Sequence, residues 1–371
     1  MSVKEAPQPL APLPGTGEGI EAYTVVGRDA ERVDAREKVS GRAEFVADLS
    51  LPGMLWGAVL RSPYAHARIR SIDTSQARQL RGVWAVVTAE QTPKKSWGAF
   101  IRDMPILAID KVRYVGEEIA AVAAVDLETA RRAISLIEVE YEELEAVFDP
   151  ELAMASGAVL VHDDRDDNVA VRIDIERGNV EAGFAASDVI VEDVFVSHPQ
   201  RHAPIETIGS LADFRPNGKL TLWMNTQTPF MARGRIAWAL DMTQGDIRII
   251  APYVGGGFGG KSCDDNNALV ASVLSRVAGR PVKLINTREE EFLAGSRPRV
   301  PMKIAVKIGF KRNGFVQAKS IRTSPLIPVA ITPLAPWITA SNSRSLIPPP
   351  VEGFPRGKKN GCRKATSSIF D

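Results

Sequence analysis

Runs of apolar residues in the first 150 residues predict several strands and a helix. Residues 55–61 alternate and then become apolar, residues 83–88 are rich in β-branched side chains, and residues 119–125 are apolar throughout. These segments have the length and composition of β-strands. Residues 127–136 instead space their apolar side chains at helical intervals and leave basic side chains on the outer face. The pattern predicts an α+β domain that ends near residue 150.

A second set of patterns follows a polar stretch at residues 162–168. This stretch contains four aspartates and predicts a linker whose charges are solvated. Beyond it, strands are predicted at 188–196, 219–224, 247–253, 281–286 and 302–310, and helices at 229–240 and 267–277. A glycine-rich run therefore lies in the connection between the strand at 247–253 and the helix that follows it.

Composition narrows the class of protein. The chain has 371 residues, 44% of them hydrophobic, which suffices for two or three domains with apolar cores. A formal net charge of +1 argues against a general nucleic-acid-binding surface. Proline and charged residues interrupt every apolar run before the roughly 18 residues that a membrane span needs. Residues 1–22 lack the basic start and apolar core of a secretion signal, so we predict a disordered leader and a cytoplasmic protein.

Cysteine and histidine offer little evidence of a site. Cys263 and Cys362 are the two cysteines, too few for a disulfide framework or for an iron–sulfur cluster. Cys263 adjoins the glycine-rich run, where a helix N-terminus could stabilise a reactive thiolate. A structural role as a small buried apolar residue is favoured. His202 and Glu206 would share one face if they lay on a helix, yet a single pair cannot complete a metal shell. No metal site is predicted.

The glycine-rich run fits a phosphate-loop pattern. Residues 255–262 read G-x-x-x-x-G-K-S, and a helix N-terminus beside Lys261 would suit a phosphate. Nucleotide hydrolysis also needs an acidic residue on a later strand to hold magnesium. The strand at 281–286 ends in Asn286, and the strand at 302–310 contains no acidic residue. A phosphate-loop nucleotide-binding protein is therefore an alternative for which the second half of the site is missing.

The same run supports a different interpretation when it is taken with Thr-Gln-Thr-Pro at residues 226–229. The pair resembles the molybdenum-binding large subunits of the xanthine dehydrogenase and aldehyde oxidase family. There the glutamine and the backbone amides of the Gly-Phe-Gly turn approach the oxo ligand and dithiolene of a molybdopterin cofactor. The resemblance implies cofactor-binding roles for Gln227, Gly256, Gly257, Phe258 and Gly259. Glycine lets the backbone approach a bulky anion, and glutamine adds a neutral donor and acceptor.

The resemblance extends over residues 33–322. Segments at 35–48, 51–55, 61–67 and 114–122 are similar to the family's α/β hammerhead domain, and 202–206 is similar to the start of its first molybdenum-binding domain. The implied fold is α+β, a hammerhead domain followed by the first part of the cofactor-binding domain. The implied division is a leader at 1–22, the hammerhead at 23–150, a linker at 151–170, the partial molybdopterin-binding domain at 171–322 and an atypical tail at 323–371.

The resemblance also implies chemistry and partners. The chain is similar to the prokaryotic, separately encoded large subunits of the carbon monoxide dehydrogenase type. It implies an enzyme that oxidises an aldehyde, an aromatic heterocycle or a similar carbon with water as the oxygen source. The implied cofactor is molybdopterin in its cytosine dinucleotide form, with [2Fe–2S] clusters on a small subunit and FAD on a medium subunit. Ser262 stands where purine-oxidising members carry a substrate-binding glutamate, which argues against xanthine as the substrate.

Residues 323–371 depart from the family pattern. They contain eight prolines and a basic end, and they show no helix or strand period. The family's catalytic glutamate lies near its C-terminus, and no residue here matches it. We therefore expect a truncated chain, or a shifted reading frame from about Thr323. An alternative of another class follows, in which the polypeptide is a non-catalytic remnant whose hammerhead domain binds a partner.

Overall fold

A computed structural model describes residues 29–99, 101–169, 175, 177–263, 265–295 and 301–325. The predicted leader at 1–22, the tail beyond residue 325 and Cys362 lie outside the described residues.

The described residues form strands and short helices in mixed order. The strands are β1 (Leu55–Arg61), β2 (Ala67–Asp73), β3 (Val83–Val87), β4 (Lys111–Val112), β5 (Glu118–Ala124), β6 (Glu138–Glu143), β7 (Val189–Ser197), β8 (Gly209–Phe214), β9 (Leu220–Met224), β10 (Ile247–Ile250), β11 (Val282–Ile285), β12 (Met302–Phe310) and β13 (Val316–Pro325). The α-helices are α1 (Ala35–Val39), α2 (Ser75–Gln79), α3 (Leu127–Ile134), α4 (Pro150–Ala153), α5 (Val180–Ala185), α6 (Pro229–Leu240), α7 (Asn266–Ala278) and α8 (Arg288–Glu290). Single turns of 3₁₀-helix lie at Ala89–Gln91 and Gln244–Asp246, and a π-helical turn lies at Glu291–Gly295.

One seven-stranded sheet joins the two halves of the described chain. Its strand order is β10-β9-β8-β11-β1-β5-β3. β1 runs parallel to β11, with Leu55 opposite Val282, so the early strands continue directly into the late ones. β5 is buried at every position because it pairs with β1 and β3 on its two edges and is covered on both faces. The main apolar core includes Leu269 and Leu274 of α7 and Ile236 of α6.

A separate sheet, with the order β13-β12-β7, has an apolar face that is largely exposed. α5 packs against the other face, where a side chain at Gly183 would meet Ala318. On the exposed face, Phe195 lies opposite Ile304 on the neighbouring strand. Phe195 is 57% exposed, and Ile321 of β13 is 50% exposed. A third sheet has the order β4-β2-β6.

Two side chains of the polar stretch at 162–168 contact the rest of the fold. Lys111, which is 1% exposed, donates to Asp163 Oδ1 at 2.8 Å. The Asn168 side chain donates to the carbonyls of Ala153 and Val159 at 3.0 and 2.9 Å. The side chain of Asp163 is itself 55% exposed, so Asp163 pairs with the buried ammonium from a solvated position.

Most predicted elements are confirmed close to their expected bounds. Helix α6 and strands β1 and β12 coincide with the predicted ranges. Strand β10 ends at Ile250, short of the predicted residue 253, and the chain then enters a loop containing Pro252, which has no amide hydrogen to donate. Strand β13 was not predicted, and it extends to Pro325, opposite Met302, so the expectation that residues 323–371 have no strand period is wrong for 323–325.

Candidate functional site

The sheet brings Gln227 and the glycine-rich run to the same edge. β9 and β10 are parallel neighbours, with Trp223 opposite Ile250. Gln227 follows β9 and precedes α6, and the run at 255–262 lies between β10 and α7. Since parallel neighbours end at the same edge, the segments that follow them meet there.

Gln227 is held against the loop by its side-chain oxygen. Gly259 N donates to Gln227 Oε1 at 3.0 Å, and Ser262 Oγ donates to the same atom at 3.3 Å. The backbone amide of Gln227 donates to the Lys261 carbonyl at 3.0 Å. Gln227 itself is exposed, and no described hydrogen bond uses its Nε2. The amide group therefore offers two free donor hydrogens beside the loop.

Glycine at 257 is required by the closeness of this contact. A Cβ at Gly257 would lie 2.5 Å from Gln227 Oε1 and 2.7 Å from its Cδ. Neither distance can hold a carbon atom without displacing the glutamine. Gly256 and Gly259 have φ values of +92° and +94°, which also favour glycine.

Phe258 combines an unusual backbone conformation with high exposure. Its φ is +52°, and it is 73% exposed. Large residues rarely adopt positive φ, and strained residues of this kind cluster at functional sites. In the described part of the chain, no hydrogen bond uses the amides of Gly256, Gly257 or Phe258. The loop therefore has an exposed apolar ring and three backbone amides without a described partner, of which the amide of Gly257 belongs to a buried residue.

Lys261 points away from that open side. Its Nζ donates to Glu206 Oε2 at 2.8 Å, and its side chain is 1% exposed. Burial lowers the pKa of the Lys261 ammonium below its ordinary value, and the hydrogen bond to Glu206 opposes this shift. A phosphate-loop lysine must reach its ligand, so this geometry argues against the nucleotide-binding alternative. Glu206 and His202 do not lie on a helix, so they do not form the helical pair considered from sequence.

Helix α6 fixes the far end of the loop. Thr228 Oγ1 donates to the Ser262 carbonyl at 2.7 Å, and Arg235 Nη2 donates to the same carbonyl at 2.9 Å. Arg235 also pairs with the buried Asp265. Sequence reasoning missed Arg235 and Asp265, and it missed the role of Glu206. The sequence signal for Arg235 was its position in α6, directly before the core residue Ile236.

Other residues considered from sequence play no visible part. Cys263 is a free thiol of intermediate burial. Within the described ranges, no group of three or more histidine, cysteine, aspartate or glutamate side chains could hold a metal ion. Among the same residues, no helix has the length and apolar character needed to cross a bilayer.

The residues present fit a bulky anionic cofactor. The cradle consists of the glycine backbone at 256, 257 and 259, with positive φ at Gly256 and Gly259 and no room for a Cβ between Gly257 and Gln227, together with amides that have no described partner and the Gln227 amide group. The fold and this cradle define a cofactor-binding α+β protein.

Comparisons with known proteins specify the class. Residues 40–145 match the family model described as "Aldehyde oxidase and xanthine dehydrogenase, a/b hammerhead domain". Residues 161–324 match the one described as "Molybdopterin cofactor-binding domain". The chain belongs to the molybdopterin-binding large subunits of the xanthine dehydrogenase and aldehyde oxidase family. The predicted family and fold class are confirmed.

Individual relatives support this assignment over part of their length. The chain is 41% identical over 292 residues to a probable xanthine dehydrogenase subunit of Bacillus subtilis (strain 168), covering 78% of this chain and 39% of that protein. It is 38% identical to the nicotinate dehydrogenase large molybdopterin subunit of Eubacterium barkeri, covering 81% of this chain and 70% of that protein. The crystal structure of quinoline 2-oxidoreductase from Pseudomonas putida 86 matches with a TM-score of 0.72 and 34% identity, covering 79% of this chain and 38% of that one. The chain therefore spans well under half the length of the Bacillus and Pseudomonas proteins.

Proposed function

We propose that this chain forms the part of a molybdenum hydroxylase large subunit that holds one side of a molybdopterin cofactor. The enzyme oxidises an aldehyde, an aromatic heterocycle or a similar carbon, with water as the oxygen source. The observation that carries the proposal is the contact between Gln227 and the glycine loop. Gly259 N fixes Gln227 Oε1 at 3.0 Å, and no described bond uses Nε2.

The residues of the chain would act by binding and orientation. The molybdenum centre, when bound, supplies the two-electron redox chemistry. Gln227 Nε2 would donate a hydrogen bond to an oxygen of the centre, held in place because Oε1 is already occupied. The amides of Gly256 and Phe258, which no described hydrogen bond uses, would face the anionic ligand. The exposed Phe258 ring would exclude water from that side.

The cofactor form, partners and compartment belong to the same proposal. We propose the cytosine dinucleotide form, a small subunit with [2Fe–2S] clusters and a medium subunit with FAD. The two cysteines are too few to ligate such clusters on this chain, which supports separate electron carriers. The names of the Bacillus and Eubacterium relatives, both of which are called subunits, also support an assembly. We propose a cytoplasmic location.

The domain division remains as proposed from sequence. The hammerhead domain occupies 23–150 and the partial molybdopterin-binding domain 171–322, with a linker at 151–170. The leader at 1–22 and the atypical tail at 323–371 lie at the two ends. The matched range 40–145 lies within the proposed hammerhead domain, whereas the range 161–324 begins inside the proposed linker and ends two residues beyond 322.

Ser262, the side chain beside Gln227, stands where purine-oxidising members of the family carry a glutamate. Ser262 places a neutral hydroxyl 3.3 Å from Gln227 Oε1, and its side chain carries no charge to pair with a polar purine. This argues against xanthine, and we propose an aldehyde or another heterocycle as the substrate.

Isotope transfer from water tests the proposed reaction. The chain and its co-purifying partners are incubated in ¹⁸O-water with benzaldehyde, quinoline or nicotinate and an artificial electron acceptor. We expect ¹⁸O in the product of at least one substrate. An assembly that contains the cofactor but gives no labelled product from any of a broad aldehyde and heterocycle panel would support the non-catalytic remnant instead.

A further inference from the structure

One carboxylate oxygen holds both ends of the glycine loop. Glu206 Oε2 accepts a hydrogen bond from Gly255 N at 2.7 Å and another from Lys261 Nζ at 2.8 Å. Gly255 is the first residue of the loop and Lys261 follows its last glycine. The other oxygen, Glu206 Oε1, is buried and makes no hydrogen bond within the described residues. A single atom, Glu206 Oε2, therefore anchors both ends of the loop.

The same lysine also fixes Gln227 through its backbone. The Lys261 carbonyl accepts from Gln227 N at 3.0 Å and from Thr226 Oγ1 at 3.2 Å. The Lys261 ammonium is tied to Glu206 on the opposite side. A movement of Lys261 would therefore shift the glycine loop and Gln227 together.

We propose that Glu206 and Lys261 are a positioning pair that sets the cofactor-accepting shape of the loop before the cofactor binds. The inference rests on the proposed function, because the ligand of the loop is the molybdopterin cofactor of that proposal. Neither residue faces the open side of the loop, so neither is assigned a catalytic role. Both act through Gln227 and the backbone of residues 255–261.

The loop needs such an anchor because its conformation is unfavourable by itself. Phe258 has a φ of +52° and is 73% exposed, so packing of its ring stabilises the turn little. Strained positions persist only where the surroundings over-determine them. The hydrogen bonds of Gly260 N to the Gly257 carbonyl at 2.8 Å and of Ser262 N to the Gly259 carbonyl at 3.2 Å lie within the loop. They do not fix its ends relative to the sheet.

A purely stabilising role is the competing explanation, and it makes a different prediction. Buried ion pairs contribute little net stability compared with apolar residues of similar volume, and their best-supported use is to specify one geometry. Removing one partner leaves the other charge buried and unpaired, so either variant should lower global stability whichever role is right. If the pair only stabilises, the loop amides should exchange faster only as far as global stability falls. If the pair positions the loop, both Lys261→Met and Glu206→Gln should release it.

Amide hydrogen exchange on cofactor-free full-length chain separates the two roles. The readout is the exchange of Gly259 N, Gly260 N and Ser262 N, none of which contacts Glu206 directly. We expect about 10- to 100-fold faster exchange in Glu206→Gln and in Lys261→Met, the equivalent of losing one hydrogen bond to a charged group. The matched control is Asp163→Asn, which removes the partner of the equally buried Lys111 on a different sheet.

The outcomes distinguish the inference from the proposed function. Exchange at these three amides that is no faster than the fall in global stability explains would overturn the positioning role, and one folded variant suffices for the decision. Molybdenum per chain, measured in the complex purified from a cofactor-producing host, should fall in Glu206→Gln and stay unchanged in Asp163→Asn. A wild-type chain without molybdenum would contradict the proposed function, while the exchange rates would still decide whether the pair positions the loop.

Discussion

At the scale of single residues, Gly257 lies against Gln227 more closely than any side chain allows. An added Cβ would lie 2.5 Å from Gln227 Oε1, so Gly257→Ala should displace the glutamine from its bond with Gly259. We expect loss of most bound molybdenum with little change in thermal stability, because the displaced side chain is exposed. Gly245→Ala is the control, since its nearest neighbour would be 3.7 Å away. Equal molybdenum content in the two variants would contradict the steric argument.

A substitution of Gln227 tests the same contact from the glutamine side. Gln227→Ala removes the exposed amide donors and the acceptor for Gly259 N and Ser262 Oγ. We expect reduced cofactor retention, measured as molybdenum per purified chain after gel filtration. Gln79→Ala in α2 removes an exposed glutamine of the same type elsewhere. Unchanged occupancy in Gln227→Ala would count against the assignment of Gln227 to the cofactor.

At the scale of elements, the turn before β5 contains a titratable group that links stability to pH. Burial raises the pKa of the Glu117 carboxyl to about 7 from an ordinary 4.5, and Arg113 opposes the shift only in part. Since the folded state favours the protonated form, the stability from this group is fully present below pH 4.5. It is lost as the pH rises through 7.

Replacement by the neutral isostere tests this linkage. Glu117→Gln should be more stable than wild type at pH 8 by about 1–3 kcal/mol, because an ionised buried carboxylate is no longer required. The two proteins should differ little near pH 4.5, where both side chains are neutral. Denaturant unfolding at the two pH values measures the difference, with the exposed Glu138→Gln as control. An equal difference at both values would exclude titration of Glu117 as the cause.

Sequence patterns predicted those elements whose own residues determine their structure. Helix α6 begins at Pro229, a favoured first helical residue, and was predicted at its observed bounds. Strand β8 was missed because Gly209, Ser210 and Asp213 have weak strand propensity, and its burial is imposed by pairing with β9 and β11. The parallel pairing of β1 with β11 joins distant parts of the chain and leaves no local signal.

The residues of the candidate site also divide into those that the sequence predicted and those that it did not. Gln227 and the turn at 256–259 were identified through resemblance, because both carry compact sequence motifs. The anchoring by Glu206 and the bonds from Arg235 to the loop depend on tertiary approach between distant segments. Lys261 suggested a phosphate ligand from its motif, and only its burial shows that it faces inward.

At the scale of the whole molecule, the continuous seven-stranded sheet predicts cooperative unfolding of both family-matched regions. β5 comes from the hammerhead match and β8 from the cofactor-binding match, and they share one sheet and one apolar core. We expect the amides of β5 and β8 to report the same opening free energy in hydrogen exchange. Two well-separated values, or two thermal transitions, would show that the regions unfold independently despite the shared sheet.

Elemental analysis for molybdenum and iron tests the central claim most directly. The chain is purified from its native host together with any co-eluting subunits, because the claim concerns a cofactor-binding part of a larger assembly. The account predicts about one molybdenum per chain, with iron contributed by a partner subunit. A stable, folded preparation that contains neither metal would contradict it.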